Sequence, residues 1–192
     1  MDFLRVWLTG IVKPAQAMEA LKPQPAPLWG LAAVLVRFIL TSLFVALPLA
    51  LLRRTPFQPS YLAFIPEESY YLALIFTFPL FGVVTWLLMS GCAHLLLRFS
   101  SHHTDFDQVA NIVGMSMLIP VPIILAWDLS MILADAYELV TMAPSHSLFQ
   151  VWETILGIVG FKCVLGLGTR PAVLVAITAN LIYVLTGALF SR

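Results

Sequence analysis

The chain has 192 residues, 60% of them hydrophobic and only 10% charged, with a formal net charge of zero. Its mean hydropathy is +0.95. Soluble domains carry roughly 25% charged residues, so this is a membrane composition, and a neutral chain offers no basic field to attract nucleic acid. Cys92 and Cys163 both lie inside apolar runs. They read as buried, inert thiols, not as a disulfide framework or a metal site.

The first 27 residues form a segment of their own. Phe3, Leu4, Trp7, Leu8 and Ile11 recur at helical spacing, while Asp2, Arg5, Thr9 and Lys13 face away. That pattern predicts an amphipathic helix lying in the membrane interface. Pro14 ends or restarts it. A short stretch, Ala15–Leu21, leads into the stiff "KPQPAP". The first long apolar run lacks the flanks of a signal peptide and reads as a retained span.

Crossing the ~30 Å hydrocarbon core takes about 20 helical residues, and five segments of residues 28–192 qualify: 28–52, 70–97, 106–126, 148–167 and 171–190. Backbone groups in lipid must be satisfied internally, so the spans are helices. The expected fold is all-α: a polytopic five-transmembrane-helix bundle with an N-terminal interfacial amphipathic helix and a Pro-kinked third span. The loops are too short to hold a soluble catalytic domain.

The third segment is the least regular. Thr104 and Asp107 signal a helix start, and Pro120 and Pro122 both remove backbone donors, which predicts a kink. Asp128 and Asp135 stand seven apart with Glu138 close by. The preferred reading is one kinked span continuing past Ala126 as an acidic, amphipathic face at the outer surface. The rival, a separate sixth span over 121–140, would bury three acids at about 2.5–3.5 kcal/mol for a central Asp.

Lys and Arg set the orientation. With the N-terminus inside, the cytoplasmic side holds Arg5, Lys13, Lys22, Arg98 and Arg170, with Lys162 near it; the other side holds Arg53, Arg54 and Arg192. The stretch between Arg98 and Lys162 has no Lys or Arg, which favours a cytoplasmic N-terminus and an outside C-terminus, with Arg53 and Arg54 counting against it.

Charges within the spans are the candidate site. Arg37 lies nine residues into the first span, about 14 Å deep at 1.5 Å per residue. Asn180 has a similar depth in the fifth, and Glu153 is in the outer part of the fourth. Intramembrane charges face protein or water and find partners. Two readings stand open: a polar cavity lined by Arg37, Glu153 and Asn180, or an Arg37–Glu153 pair, helped by Asn180, that locks the bundle as interhelical glue. Small residues such as Gly91, Gly157 and Gly160 allow close helix approach.

Three reactive patterns fail. "EESYYL" approaches a paired-glutamate protease motif, but Leu72 stands where Arg is required. "KCVLGLGTRP" approaches a lipid-phosphatase motif with one residue too many, and no later histidine follows it. His102, His103, Asp105 and Asp107 are too close in sequence to converge on one ion. No enzyme activity and no cofactor are expected.

A family pattern emerges from three stretches. These are "VKPAQAMEAL" before the first span, "FDQVANIVGMSMLIP" with Phe106, Gly114 and Pro120, and "VWETILGIVGFKCVLGLGTRPAVLVA" with Trp152, Gly160, Gly166, Arg170 and Ala172. Together with five spans they make the chain resemble the YIP (Ypt-interacting protein) domain family in its bacterial, inner-membrane form. The resemblance implies a non-enzymatic multipass protein of the bacterial inner (cytoplasmic) membrane that acts as an adaptor or organiser of other membrane proteins, with a membrane-protein partner or a homo-oligomer. Eukaryotic members bind small GTPases through cytosolic N-terminal regions. The 27 residues here are too few for a folded recruitment domain, so GTPase binding is not carried over. The alternative function is a small transporter or channel subunit with its cavity at Arg37, Glu153 and Asn180.

Overall fold

The computed structural model describes residues 2–23, 28–56, 65–100 and 104–190. The expectations for "KPQPAP" beyond Pro23 and for His102 and His103 lie outside the described residues. The described chain is helical, and five of its helical stretches are long and apolar enough to cross a membrane: Leu28–Leu51, Glu67–Phe99, Phe106–Leu133, Leu139–Leu165 and Thr169–Ala188. The protein is a multipass, all-helical membrane protein.

The N-terminus forms two short helices, α1 (Phe3–Val12) and α2 (Pro14–Glu19). Asp2 caps α1 by accepting from the Arg5 N–H at 2.8 Å, and Pro14 opens α2, where its missing N–H costs no bond. The expected apolar face of α1 splits in two. Phe3, Trp7 and Ile11 turn inward with buried Val6 and Gly10, while Leu4 and Leu8 remain exposed. The segment is anchored on the bundle. Val6, Ala17, Met18 and Leu21 share one apolar core with the spans.

The first span joins α3 (Leu28–Thr41) to α4 (Leu47–Leu51) through a π-helical turn, Ser42–Ala46, ahead of Pro48. There the Leu47 N–H reaches back five residues to the Ser42 carbonyl, the widened turn typical of a π-bulge. The second is α5 (Tyr70–Phe99), entered by a 3₁₀ turn at Glu67–Ser69. The fourth and fifth are α8 (Leu139–Leu165) and α9 (Thr169–Phe190). Gly166, in the left-handed region at φ 67°, ends α8 and returns its N–H to Lys162, a conformation that glycine adopts without steric cost.

The third span is the spine. It runs as α6 (Phe106–Leu118), breaks at Ile119–Pro120, and resumes as α7 (Val121–Leu133). Pro120 is the N-cap residue of α7 and Pro122 lies in its first turn. Every residue from Val109 to Val121 is buried, as in a helix that is apolar all round. α3, α5 and α8 pack around α6, and α9 closes the ring against α5 and α8.

Lipid is as apolar as leucine, so van der Waals contact and hydrogen bonds hold such helices together. Gly30 and Gly114 show the first. A Cβ on either would overlap the backbone of the facing helix, at Ala110 or at Gly30 itself. The second is concentrated on α6. Asn111, fully buried, accepts the Gly30 N–H at 2.7 Å and so caps the open N-terminus of α3. The Trp86 indole donates to the Ala110 carbonyl at 2.8 Å.

The helix of the third span continues past Ala126 as the preferred reading has it, with no separate span over 121–140, and only the expected start of the fourth span needs correction. One interrupted span reaches Leu133, and the next helix starts at Leu139, not Leu148. A capping box explains the early start: Glu138 accepts from the Thr141 backbone, and Thr141 accepts from Glu138 N–H.

Gly114→Ala is expected to destabilise the protein by about 1–3 kcal/mol through backbone overlap. Gly91→Ala, with nothing within 4 Å of the added atom, is expected to stay within about 0.5 kcal/mol. Thermal unfolding of both variants in one detergent checks the contrast.

Candidate functional site: the polar centre of the bundle

Breaking a buried helix with two prolines leaves backbone carbonyls to satisfy. Leu118 would ordinarily accept from residue 122, but Pro122 has no N–H. The Trp7 indole of α1 donates to the Leu118 carbonyl instead, at 2.9 Å. Gly10, one turn further along α1, lets that helix sit on Ile119, whose Cδ1 would stand 2.6 Å from an added Cβ. The neighbouring carbonyl, Met117, accepts from Arg37 Nη1 at 2.5 Å.

Arg37 is the hub. Its side chain is 8% exposed, and Nη1 also meets Glu153 Oε1 at 2.6 Å, with Glu153 5% exposed. Nη2 donates to the Tyr183 hydroxyl at 3.3 Å. The guanidinium lies 5.5 Å from the Tyr183 ring centre and 5.6 Å from that of Phe38, within cation–π range. One side chain of the first span thus ties together the third, fourth and fifth.

Of the expected trio, Arg37 and Glu153 meet directly. Asn180 sits one layer away, donating to Thr154 Oγ1 at 2.6 Å and the Gln150 carbonyl at 3.2 Å. It joins Glu153 only as a co-lining residue of a small cavity, about 20 Å³, shared with Ser116, Met117 and Thr154. That is room for one water. Tyr183, three residues beyond Asn180 on α9, was not foreseen; a one-turn offset from a polar residue in a span is the signal that points to it.

The three acids expected on one outer face are dispersed, because α7 ends at Leu133. Asp128 is buried, with Oδ1 3.6 Å from His146 Nε2 on α8. Asp135 is exposed in a left-handed turn at φ 60° and pairs with Arg54. Glu138 is the cap of α8. In the turn between α7 and α8, burial and then the Asp128 carboxylate push the Tyr137 hydroxyl well above its ordinary pKa. Among the described residues, no group of three or more His, Cys, Asp or Glu is placed to hold a metal ion.

Removing Arg37 would strand a buried carboxylate and an unsatisfied carbonyl. Arg37→Ala is expected to cost about 3–5 kcal/mol, with the Arg37→Met, Glu153→Met double variant recovering most of it. Chemical denaturation in mixed micelles measures both. Trp7→Phe, which keeps the ring contact and loses only the donor, is expected to cost about 1–3 kcal/mol for the unsatisfied Leu118 carbonyl, read from the same curves.

Neither a curated protein nor a solved structure matches the chain. The Yip1 domain family model matches residues 9–191, from within α1 to the end of the fifth span. This is a match along nearly the whole length of the bundle, and the chain belongs to the Yip1 domain family.

Proposed function

We propose that the protein is a non-enzymatic, membrane-embedded adaptor or organiser, binding other membrane proteins or further copies of itself, with its N-terminus on the cytoplasmic face of a bacterial inner membrane. The observation that carries this reading is the closed polar centre. Arg37 is saturated by Glu153, Met117 and Tyr183, and the space beside it admits a single water. Intramembrane charge used in this way is a lock between helices, which leaves the lipid-facing sides as the surfaces available for recognition. Gly91 and Gly187 have open space where a Cβ would point, and helix partners approach closely at such places.

Transport through the same centre would require Arg37 and Glu153 to separate in each cycle, against the cost of exposing two buried charges.

Mild-detergent purification from native membranes is expected to yield a stoichiometric membrane-protein partner or a defined homo-oligomer. A solute flux in reconstituted vesicles that Glu153→Gln abolishes, with the fold intact, would replace the adaptor reading with transport.

A further inference from the structure

At the end of the bundle away from α1, Asp128 and His146 face each other across α7 and α8. Asp128 is 3% exposed, and its buried Oδ1 has no hydrogen-bond partner. His146 Nε2 stands 3.6 Å away, beyond hydrogen-bond range. The other ring nitrogen settles the chemistry. His146 Nδ1 lies 3.0 Å from the Met142 carbonyl; a carbonyl only accepts, so Nδ1 carries a hydrogen. A neutral ring in that tautomer would aim the Nε2 lone pair at the Asp128 oxygen. An ionised Asp128 facing a neutral His146 is then repulsive, and the arrangement requires one more proton, on Nε2 or on Oδ1.

The surroundings allow that proton to come and go. The His146 side chain is 41% exposed, and Asp128 lies five residues from the end of α7, about 7–8 Å at 1.5 Å per residue. The other groups that face the pair are Tyr137 of the α7–α8 turn, Glu153 one layer deeper on α8, Arg37 of α3 and Tyr183 of α9. Tyr70 and Tyr71 of α5 stand behind Tyr137. Glu153 and Arg37 already neutralise each other. Among the described residues the backbones of α7 and α8 approach each other little beyond the short turn that joins them.

We propose that Asp128 and His146 form a proton-binding site at the α7–α8 end of the bundle, which clamps the two helices together when the proton is held and releases them when it leaves. The site reads the acidity of the aqueous compartment on that face. The folded pair holds the proton and the unfolded chain exposes a free imidazole, so the clamp contributes stability at low pH and loses it as pH rises through the site's titration.

The test uses the full chain in lipid nanodiscs. Side-chain ¹⁵N NMR follows the histidines from about pH 5 to 9, spanning the range in which imidazole titrates, with the His146 signals identified by their loss in His146→Gln. Nδ1 is expected to stay protonated throughout while Nε2 loses its proton, and Asp128→Asn is expected to shift that midpoint by at least about one pH unit. The melting temperature of the wild type is expected to fall across the same step, and that of Asp128→Asn to stay flat. The proposal is overturned if Nε2 is unprotonated at every pH in that range, or if Asp128→Asn melts with the wild-type pH profile. With His146 identified, the wild-type spectra decide the first point even if Asp128→Asn fails to fold.

Discussion

The structure depends on one shortage. A helix buried on all sides loses two backbone donors at Pro120 and Pro122, in surroundings where water cannot replace them. The carbonyls at the break must find partners from elsewhere in the chain. Trp7 reaches Leu118 from the N-terminal helix, and Arg37 reaches Met117 from the first span. Gly30, Gly114 and Gly10 follow from the same need, because backbones and side chains have to come close enough to serve the broken helix. Pro122 and the break beside it therefore present two acceptors, Leu118 and Met117, that α1 and α3 reach.

Arg37 illustrates how such a site differs from an isolated ion pair. A buried pair alone roughly balances desolvation against attraction. Here the same guanidinium also serves a backbone carbonyl and a tyrosine hydroxyl and rests against two aromatic rings. The charge is spread over partners from three other spans, which makes it a determinant of which helices are neighbours. Asn111 does similar work for the Gly30 amide. Membrane association offers little hydrophobic discrimination between one helix and another, and polar contacts of this kind supply the register.

Much of this was legible in the residues. Long apolar runs fix the count of spans, and the depths of Arg37 and Glu153 place them within reach of each other. The failures have local causes. The seven-residue spacing of Asp128 and Asp135 implies a shared face only while the helix continues, and it ends at Leu133. The start of α8 lies ahead of the apolar run that marks the fourth span, because Glu138 and Thr141 cap a helix there. On α1, the apolar positions mark a helix correctly but do not say which of them meet protein and which meet lipid. Only the third dimension separates Trp7 from Leu8. Carbonyl acceptors such as Met117 carry no side-chain signature at all; they follow from knowing where the helix breaks.

The bond from Trp7 to Leu118 joins residues 111 apart in the chain. At synthesis rates of about 5–20 residues per second, the indole emerges on the order of ten seconds before its acceptor exists. Through that interval α1 can meet the first span, where Phe3 packs on Trp29, but not the broken helix, and its other apolar residues need a provisional home at the membrane. Its seat is completed only when the broken span, and then the fourth span that α2 packs against, have entered the bilayer. The first element made is among the last to dock, so the N-terminal helix acts as the clasp that closes the assembled bundle.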